Sequence, residues 1–490
     1  MKKYKLYILL FILLFVSYGY FFHWIGGWNE STRLDLTYSI VERHTFNIDP
    51  YHENTGDKAF FNSHYYCDKA PGLSFFAVPV YIVVKSAIKL FNFPISFDMP
   101  NSLTIFYLLT LFCVGVPSAL LGVLFYKFIG YFTDNKVFQL VAALGYSLCT
   151  LAFPYSTLFI GHQFVAVLGF AAFFLAFRMK QVDSVNSKIL FLTGLLAGYG
   201  AISEYPMGIV AAALFVYIFS FLKRKRDIVF FILGAVAPVL LLMYYNYACF
   251  GNPLHLSYKF EVPNKAFEGM KEGFFGITMP KLSNLYGILF GAYRGLFRTS
   301  PLLLLSIPGF FYLFKRKEAR PEFYFASFVI AFFILLNSSY YMWYGGATMG
   351  PRHIIPILPF MSIGLVFFLE NFKQNRPVKS IFKILFAISF LLMLFGTAVD
   401  PRIPPMDMSV VGFIFIRLFF GYHSLNMGIL PFLYFPSYFL KTPYVLSLLP
   451  LIFFLVIIIY RFMTIEYSKH RGFHNAKDDK DKNNSCSSRI

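Results

Sequence analysis

Residues 73–93 read LSFFAVPVYIVVKSAIKLFNF, and whether this stretch crosses a bilayer or lies along it decides the architecture of the whole chain. It is apolar over ~20 residues, the length that spans ~30 Å of hydrocarbon. Similar runs lie on both sides, at roughly 4–23, 101–127, 137–153, 156–177, 189–203, 206–222, 228–248, 299–314, 323–341, 354–370, 384–399 and 444–463. The basic clusters decide between the two arrangements. If 73–93 crossed, Lys2 and Lys3 would lie opposite Lys223-Arg224-Lys225-Arg226 and Lys315-Arg316-Lys317. If it stays outside, those clusters share one face with Lys127/Lys136, Arg178/Lys180/Lys188, Lys373/Arg376/Lys379/Lys383 and the basic tail after Arg461, as positive-inside bias requires. Lys85 and Lys89 stand four residues apart on one helical face, which suits a helix lying in the interface. The sequence therefore predicts an all-α polytopic membrane protein of about 12 transmembrane helices with both termini cytoplasmic.

Composition agrees. The 490 residues are 58% hydrophobic and 21% aromatic, with 65 Phe and 34 Tyr, and only 14% are charged. The first apolar run follows Lys2-Lys3 without a small-residue cleavage site and reads as an uncleaved signal anchor. A net charge of +19 would point to nucleic acid in a soluble protein, but here it is the cytoplasmic bias of the linkers, so no nucleic-acid partner is expected. Zinc-type Cys/His spacing, a P-loop and a dinucleotide fingerprint are absent. The cysteines at 67, 113, 149, 249 and 486 are scattered; Cys67 and Cys249 both fall on the exterior side and read as unbridged thiols. No internal repeat is visible, which weighs against an inverted-repeat transporter.

The polar features collect on the exterior face. Residues 24–72, WIGGWNESTRLDLTYSIVERHTFNIDPYHENTGDKAFFNSHYYCDKAPG, carry seven of the chain's 24 carboxylates: Glu30, Asp35, Glu42, Asp49, Glu53, Asp57 and Asp68. Gly161-His162, Glu204-Tyr205 and the loops 249–298 and 342–353 share that side, as does 400–443, which is expected to hold an interfacial helix. Three regions follow: a transmembrane catalytic module over 1–370 with its exterior loop at 24–100, a transmembrane and exterior segment over 371–463, and a disordered cytoplasmic tail over 464–490. With no organelle signal, the expected location is a bacterial or archaeal plasma (inner) membrane.

Asn29-Glu30-Ser31-Thr32-Arg33-Leu34-Asp35 follows the first span, and His64-Tyr65-Tyr66-Cys67-Asp68-Lys69-Ala70-Pro71-Gly72 leads into the interfacial helix. This arrangement resembles the C-type glycosyltransferase superfamily, nearest to protein O-mannosyltransferases and lipid A aminoarabinose transferases. Those enzymes carry an acidic pair after the first span, then a Thr-Arg-Tyr-like run and a Glu-Lys-Pro-Pro segment before an external helix. Asn29-Glu30 aligns with the acidic pair and Asp68-Lys69-Ala70-Pro71 with the Lys-Pro segment. The resemblance covers the first ~200 residues best and the span pattern to about residue 370. Two departures stand out: Asn29 replaces the usual first acid, and one extra residue separates Glu30 from Arg33. Either Glu30 or Asp35 is therefore the catalytic carboxylate. The resemblance implies inverting transfer from a polyprenyl-phosphate sugar to a lipid, glycan or protein acceptor, on the exterior or periplasmic side.

The residue types suit that chemistry in their own right. A carboxylate must take the acceptor hydroxyl's proton, and cations must stabilise the departing polyprenyl phosphate. Glu30 is assigned as base, against the plainer reading of an acid paired with Arg33 three residues on. Lys69 leads as phosphate ligand, supported by Arg33 and Asp68 around the same motif. Arg352 comes second, in the glycine-rich 342–353 loop, against a turn with a headgroup-seeking arginine. His162, Glu204 and Tyr205 sit at outer helix ends and are further candidates. Arg294 and Asn246 are weaker, and Asp57-Lys58 reads as a loop ion pair. No Asp-x-Asp occurs in the large loop, so neither an obligatory metal nor another cofactor is indicated. Two rival classes remain: a lipid-linked saccharide transporter without transferase activity, which calls for charges through the depth of the spans, and a structural envelope subunit, for which the acidic loop would be a docking surface.

Overall fold

The computed structural model describes residues 2–21, 23, 27–93, 102–403, 408–420 and 448–465. Among these, seven helices are long and apolar enough to cross a membrane, and six shorter apolar ones accompany them. A helix lies at each of the twelve stretches expected to span, six of them among the seven long enough to cross; the seventh is Gly72–Leu90, the stretch expected to lie in the interface. Of the tail expected to be disordered over 464–490, residues 464 and 465 end a helix and the rest lies outside the described residues, as do most of the expected helix-bearing segment 400–443 and Cys486; within that segment Val410–Phe420 is helical.

The helices are numbered α1 Lys2–Gly19, α2 Trp28–Arg43, α3 Gly72–Leu90, α4 Leu103–Ile129, α5 Lys136–Cys149, α6 Gly161–Gln181, α7 Ser187–Ser203, α8 Met207–Phe221, α9 Ile228–Phe250, α10 Pro301–Lys315, α11 Arg320–Ser339, α12 Arg352–Asn371, α13 Arg376–Val399, α14 Val410–Phe420 and α15 Leu449–Ile465. At the basic end, asparagine side chains start three of them. Asn135, Asn186 and Asn375 each accept from the first free backbone N–H groups of α5, α7 and α13 at 2.9–3.4 Å.

With little hydrophobic driving force between helices in lipid, close approach depends on small residues. Helices α7 and α9 meet through Gly194, Gly198 and Gly234, whose added β-carbons would lie 2.0–2.3 Å from facing backbone carbonyls. Helices α10 and α12 meet in the same way: a β-carbon on Gly309 would stand 1.9 Å from the Gly364 carbonyl oxygen. Gly309→Val should therefore destabilise the protein by about 1–3 kcal/mol or more, because backbone cannot yield as a side chain can. A lowered Tm in detergent checks this, with the exposed Ile307→Val on the same helix staying near wild type.

The segment 24–72 is built around an unusual helix. In α2 every side chain from Asn29 to Ser39 is buried, although the stretch includes Glu30, Arg33 and Asp35. Burying that many polar groups demands partners for each. α3 supplies one flank. The Ser74 hydroxyl donates to the Arg33 carbonyl at 2.8 Å, Tyr38 packs on Tyr81 at 5.2 Å, and Lys85 pairs with Glu42 at 2.5 Å. The contacts ascend together, so the polar α2 and the apolar α3 run parallel.

The all-α expectation needs one correction. Strands β1 Lys58–Phe61 and β2 His64–Cys67 form an antiparallel hairpin with Lys58 opposite Cys67. Its two-residue turn, Asn62-Ser63, has φ of 47° and 64°, the left-handed pair that matches strand twist. The segment at Glu261 adds a further bridge to Ala59, and Val262 N–H donates to the Lys58 carbonyl at 3.0 Å. The segment 249–298 is thereby tied to the segment 24–72.

Candidate functional site

Arg33 is the centre of the cluster. Its guanidinium uses three nitrogens: Nε donates to Asn29 Oδ1 at 3.1 Å, Nη1 to the Ala70 carbonyl at 2.9 Å, and Nη2 to Glu204 Oε1 at 2.7 Å. The expected Glu30–Arg33 pair does not form. Arg33 reaches instead to the end of α7, where Glu204 interrupts the helix and folds over Gly161, whose added β-carbon would lie 2.3 Å from Oε1. Burial raises the proton affinity of Glu204, opposed by the charges of Arg33, Arg352 and Lys69 in that order. Arg33 contacts this carboxylate directly, and the charges of Arg352 and Lys69 act on it as well.

His162 opens α6 beside it, with Nδ1 3.9 Å from Glu204 Oε1. Its ring meets that of His353 edge-on at 5.2 Å, and Tyr340 covers His353 at 5.4 Å. Tyr205 packs edge-on against Tyr258 at 5.7 Å. Arg352 stands beside this histidine pair with a buried Nε that has no hydrogen-bond partner. The glycines of the 342–353 loop do what their positions promised: Gly345, Gly346 and Gly350 have φ of 78°, 73° and 85°.

Lys69 lies deeper in a cage than a free phosphate ligand would. Its ammonium is 2.7 Å from Asp68 Oδ2 and 3.1 Å from Asp57 Oδ2, with the Tyr258 and Phe267 rings at 6.0 and 5.7 Å. Burial alone would lower its proton affinity, but Asp57 and Asp68 outweigh it and hold the amine well above the usual lysine range. The reading of Asp57-Lys58 as a loop ion pair is corrected here. Asp57 turns to Lys69, while Lys58 donates to the His52 carbonyl at 2.6 Å. Neighbours in an extended strand point to opposite faces.

Glu30 forms a second pole. Its Oε2 lies 3.0 Å from Arg402 Nη1, and Arg402 in turn holds Asp400 through Nε at 3.0 Å and Nη2 at 3.1 Å. Glu30 is 1% exposed, and burial, the largest influence, raises its proton affinity against the opposing charge of Arg402. The Glu30 carboxylate also packs over Gly27, whose added β-carbon would sit 2.6 Å from Oε2.

Asp35 is not part of either pole. Five residues on from Glu30, it faces the His52–Asn54 turn and accepts from Asn54 Nδ2 at 3.0 Å. Burial pushes its carboxyl well above the usual range with only that amide in opposition, which favours the neutral acid. Arg294 is a staple: its Nη2 donates to the Gly346 and Ile403 carbonyls, both at 3.1 Å. Asn246 caps a turn at the Pro253 carbonyl, 3.2 Å away. Cys67 and Cys249 are free thiols in one small apolar cluster.

Sequence reasoning missed Arg402, Asp400, His353, Glu261 and the caging role of Asp57. The signal for the first two was Asp400-Pro401-Arg402, a charged island directly after an apolar helix. Among the described residues, no group of three or more His, Cys, Asp or Glu is arranged to hold a metal ion.

No family model matches the chain, and no curated protein matches it. Three solved structures are similar in shape. The oligosaccharyltransferase of Archaeoglobus fulgidus in its apo form is 11% identical with a TM-score of 0.48, covering 82% of this chain and 56% of its own. The archaeal oligosaccharyltransferase AglB from Archaeoglobus fulgidus, in complex with an inhibitory peptide and a dolichol-phosphate, is 13% identical with a TM-score of 0.49, covering 83% and 57%. ArnT from Cupriavidus metallidurans, bound to undecaprenyl phosphate, is 13% identical with a TM-score of 0.47, covering 94% and 72%. The chain spans little more than half the length of the two Archaeoglobus chains.

Proposed function

We propose that the chain is an integral membrane glycosyltransferase that moves a sugar from a polyprenyl-phosphate donor to a hydroxyl on a lipid, polysaccharide or protein at the exterior face, with inversion. The observation that carries this is the Arg33–Glu204 ion pair at 2.7 Å, tied through Arg33 to the helix that carries the buried Glu30. Preorganised cations are what a departing lipid phosphate requires. In this reading the order of the ligands is reversed: Arg352, whose Nε has no partner among the described residues, grips the phosphate, and Lys69 supports it from its carboxylate cage. Glu30 takes the acceptor's proton. Although α3 is long and apolar enough to cross, its packing along the polar α2 supports a place for it in the membrane interface, the arrangement that would keep the basic linkers on one face.

The test is transfer of radiolabelled sugar from polyprenyl-phosphate donors by purified protein, with a native envelope extract as acceptor. Arg352→Ala should weaken donor binding by about 1.5–3 kcal/mol, the usual value of a hydrogen bond to a charged group. Asp35→Asn, at an acid whose burial favours the neutral form, should leave transfer near wild type. Donor binding without transfer by wild type would move the assignment to a saccharide transporter.

A further inference from the structure

A cavity of about 440 Å³ lies at the basic end of the bundle, where the turn between α4 and α5 meets the C-terminal ends of α10 and α12. Its size falls within the ~300–1,000 Å³ of small-molecule sites. Arg352 opens α12 at one end and the cavity lies at the other. The twenty residues between, at ~1.5 Å each, put the cavity about 30 Å from the cluster around Arg33 and Glu204.

Four charged side chains line it: Arg316 and Lys373 of one sign, Asp134 and Glu370 of the other. The inner wall is firmly held. Thr133 is buried, its hydroxyl donates to Glu370, and its carbonyl accepts from Gln139 Nε2 at 2.6 Å. Arg316 Nη1 donates to the Phe132 carbonyl at 3.1 Å, and the guanidinium lies over the Phe367 ring at 4.9 Å. Among the described residues its Nε and Nη2 have no partner, Lys373 reaches Glu370 alone at 3.5 Å, and the Asp134 carboxylate has none. Unused donors and an unused acceptor thus share one cavity. A lone anion would meet two carboxylates there, and a lone cation two basic groups. A dipolar ligand satisfies both signs.

Helix α10 indicates where such a ligand comes from. Leu304, Ile307, Phe311 and Phe314 are exposed at helical spacing and form an apolar stripe that runs up to Arg316. On a bundle of membrane-crossing helices such a stripe meets acyl chains, and basic groups at its end stand at headgroup level.

We propose that the cavity holds the phosphoethanolamine headgroup of a phospholipid, with its phosphate on Arg316 and Lys373, its ammonium on Asp134 and Glu370, and an acyl chain along α10. A primary ammonium fits better than a quaternary one, because only N–H groups can donate to the bare Asp134 carboxylate. The bound lipid joins the α4–α5 turn to the ends of α10 and α12 and stabilises the bundle at the pole away from Glu30. This site does not depend on the transferase reading.

Native mass spectrometry of the full chain, offered phosphatidylethanolamine, phosphatidylcholine and phosphatidylglycerol with identical acyl chains, reads the preference. Wild type should retain phosphatidylethanolamine above the other two. Asp134→Asn and Lys373→Ala, both at exposed positions, should each weaken that retention about two- to fivefold, the range of an exposed ion pair. Asp134→Lys, which leaves three basic groups and one acid, should turn the preference to phosphatidylglycerol. In nanodiscs, added phosphatidylethanolamine should raise the wild-type Tm above its value in phosphatidylcholine alone, and raise it less in the variants. Equal retention of the three lipids by wild type, or a preference that every variant keeps, overturns the site. A wild-type preference for phosphatidylglycerol overturns the dipolar headgroup. Full displacement of the lipid by an equal concentration of free phosphoethanolamine overturns the acyl contact and makes the ligand a soluble zwitterion.

Discussion

Glu30→Gln is expected to lower transfer by ~10²–10⁴-fold while the protein stays folded. Glutamine keeps an oxygen for Arg402, and Arg402 retains both of its hydrogen bonds to Asp400, so no buried charge is orphaned. What disappears is the site that accepts a proton. Burial has raised that site's proton affinity, which brings it nearer to what a general base needs at neutral pH. The raised value also predicts an acid limb: transfer should fall as pH drops, beginning above the ordinary carboxylate range, because Glu30 must be ionised to act. Arg402→Ala removes the charge that opposes protonation and should move that limb to still higher pH. Rate–pH profiles of the three proteins, alongside Tm values, check both statements. Full activity in Glu30→Gln would transfer the role of base to Glu204.

Arg33→Ala should cost about 3–5 kcal/mol of stability, the loss seen when one member of a buried ion pair is removed. The side chain is 1% exposed and, braced by Asn29 one turn earlier on its own helix, connects that helix to two distant segments through Ala70 and Glu204. Lysine cannot replace it, because a single ammonium does not reproduce the fork that reaches all three. Much of the cost comes from Glu204, left buried without its nearest cation. Arg33→Ala combined with Glu204→Gln should therefore be more stable than Arg33→Ala alone. Thermal unfolding of the two single variants and the double gives the coupling directly. Simple addition of the two single effects would show that Arg33 and Glu204 are neighbours without being partners.

The spans were legible because a run of apolar residues long enough to cross hydrocarbon is a local signal. Every such run in the described residues became a helix. The position of Glu30 just outside the first span was legible for the same reason. Its partner was not, since 372 positions separate it from Arg402 and nothing in either neighbourhood names the other. Arg33 and Glu204, 171 positions apart, pose the same difficulty, and the local Glu30–Arg33 spacing offered a false alternative. The hairpin was readable: Asn62-Ser63 lies between segments rich in aromatics, and the dense acidity of the loop drew attention from it. Asp57 and Lys58 misled through adjacency, which in a strand separates side chains rather than joining them.

The Glu30–Arg402 contact also sets a timetable for biogenesis. At ~5–20 residues per second, about 20–75 s pass between synthesis of the first loop and arrival of its arginine. During that interval Glu30 has no counter-ion, and the nascent α2 waits at the membrane with an unmatched acid. Truncation before residue 400 would make that waiting state permanent. A cell that surveys newly inserted membrane proteins would thus find in α2 a marker of whether synthesis had passed Arg402.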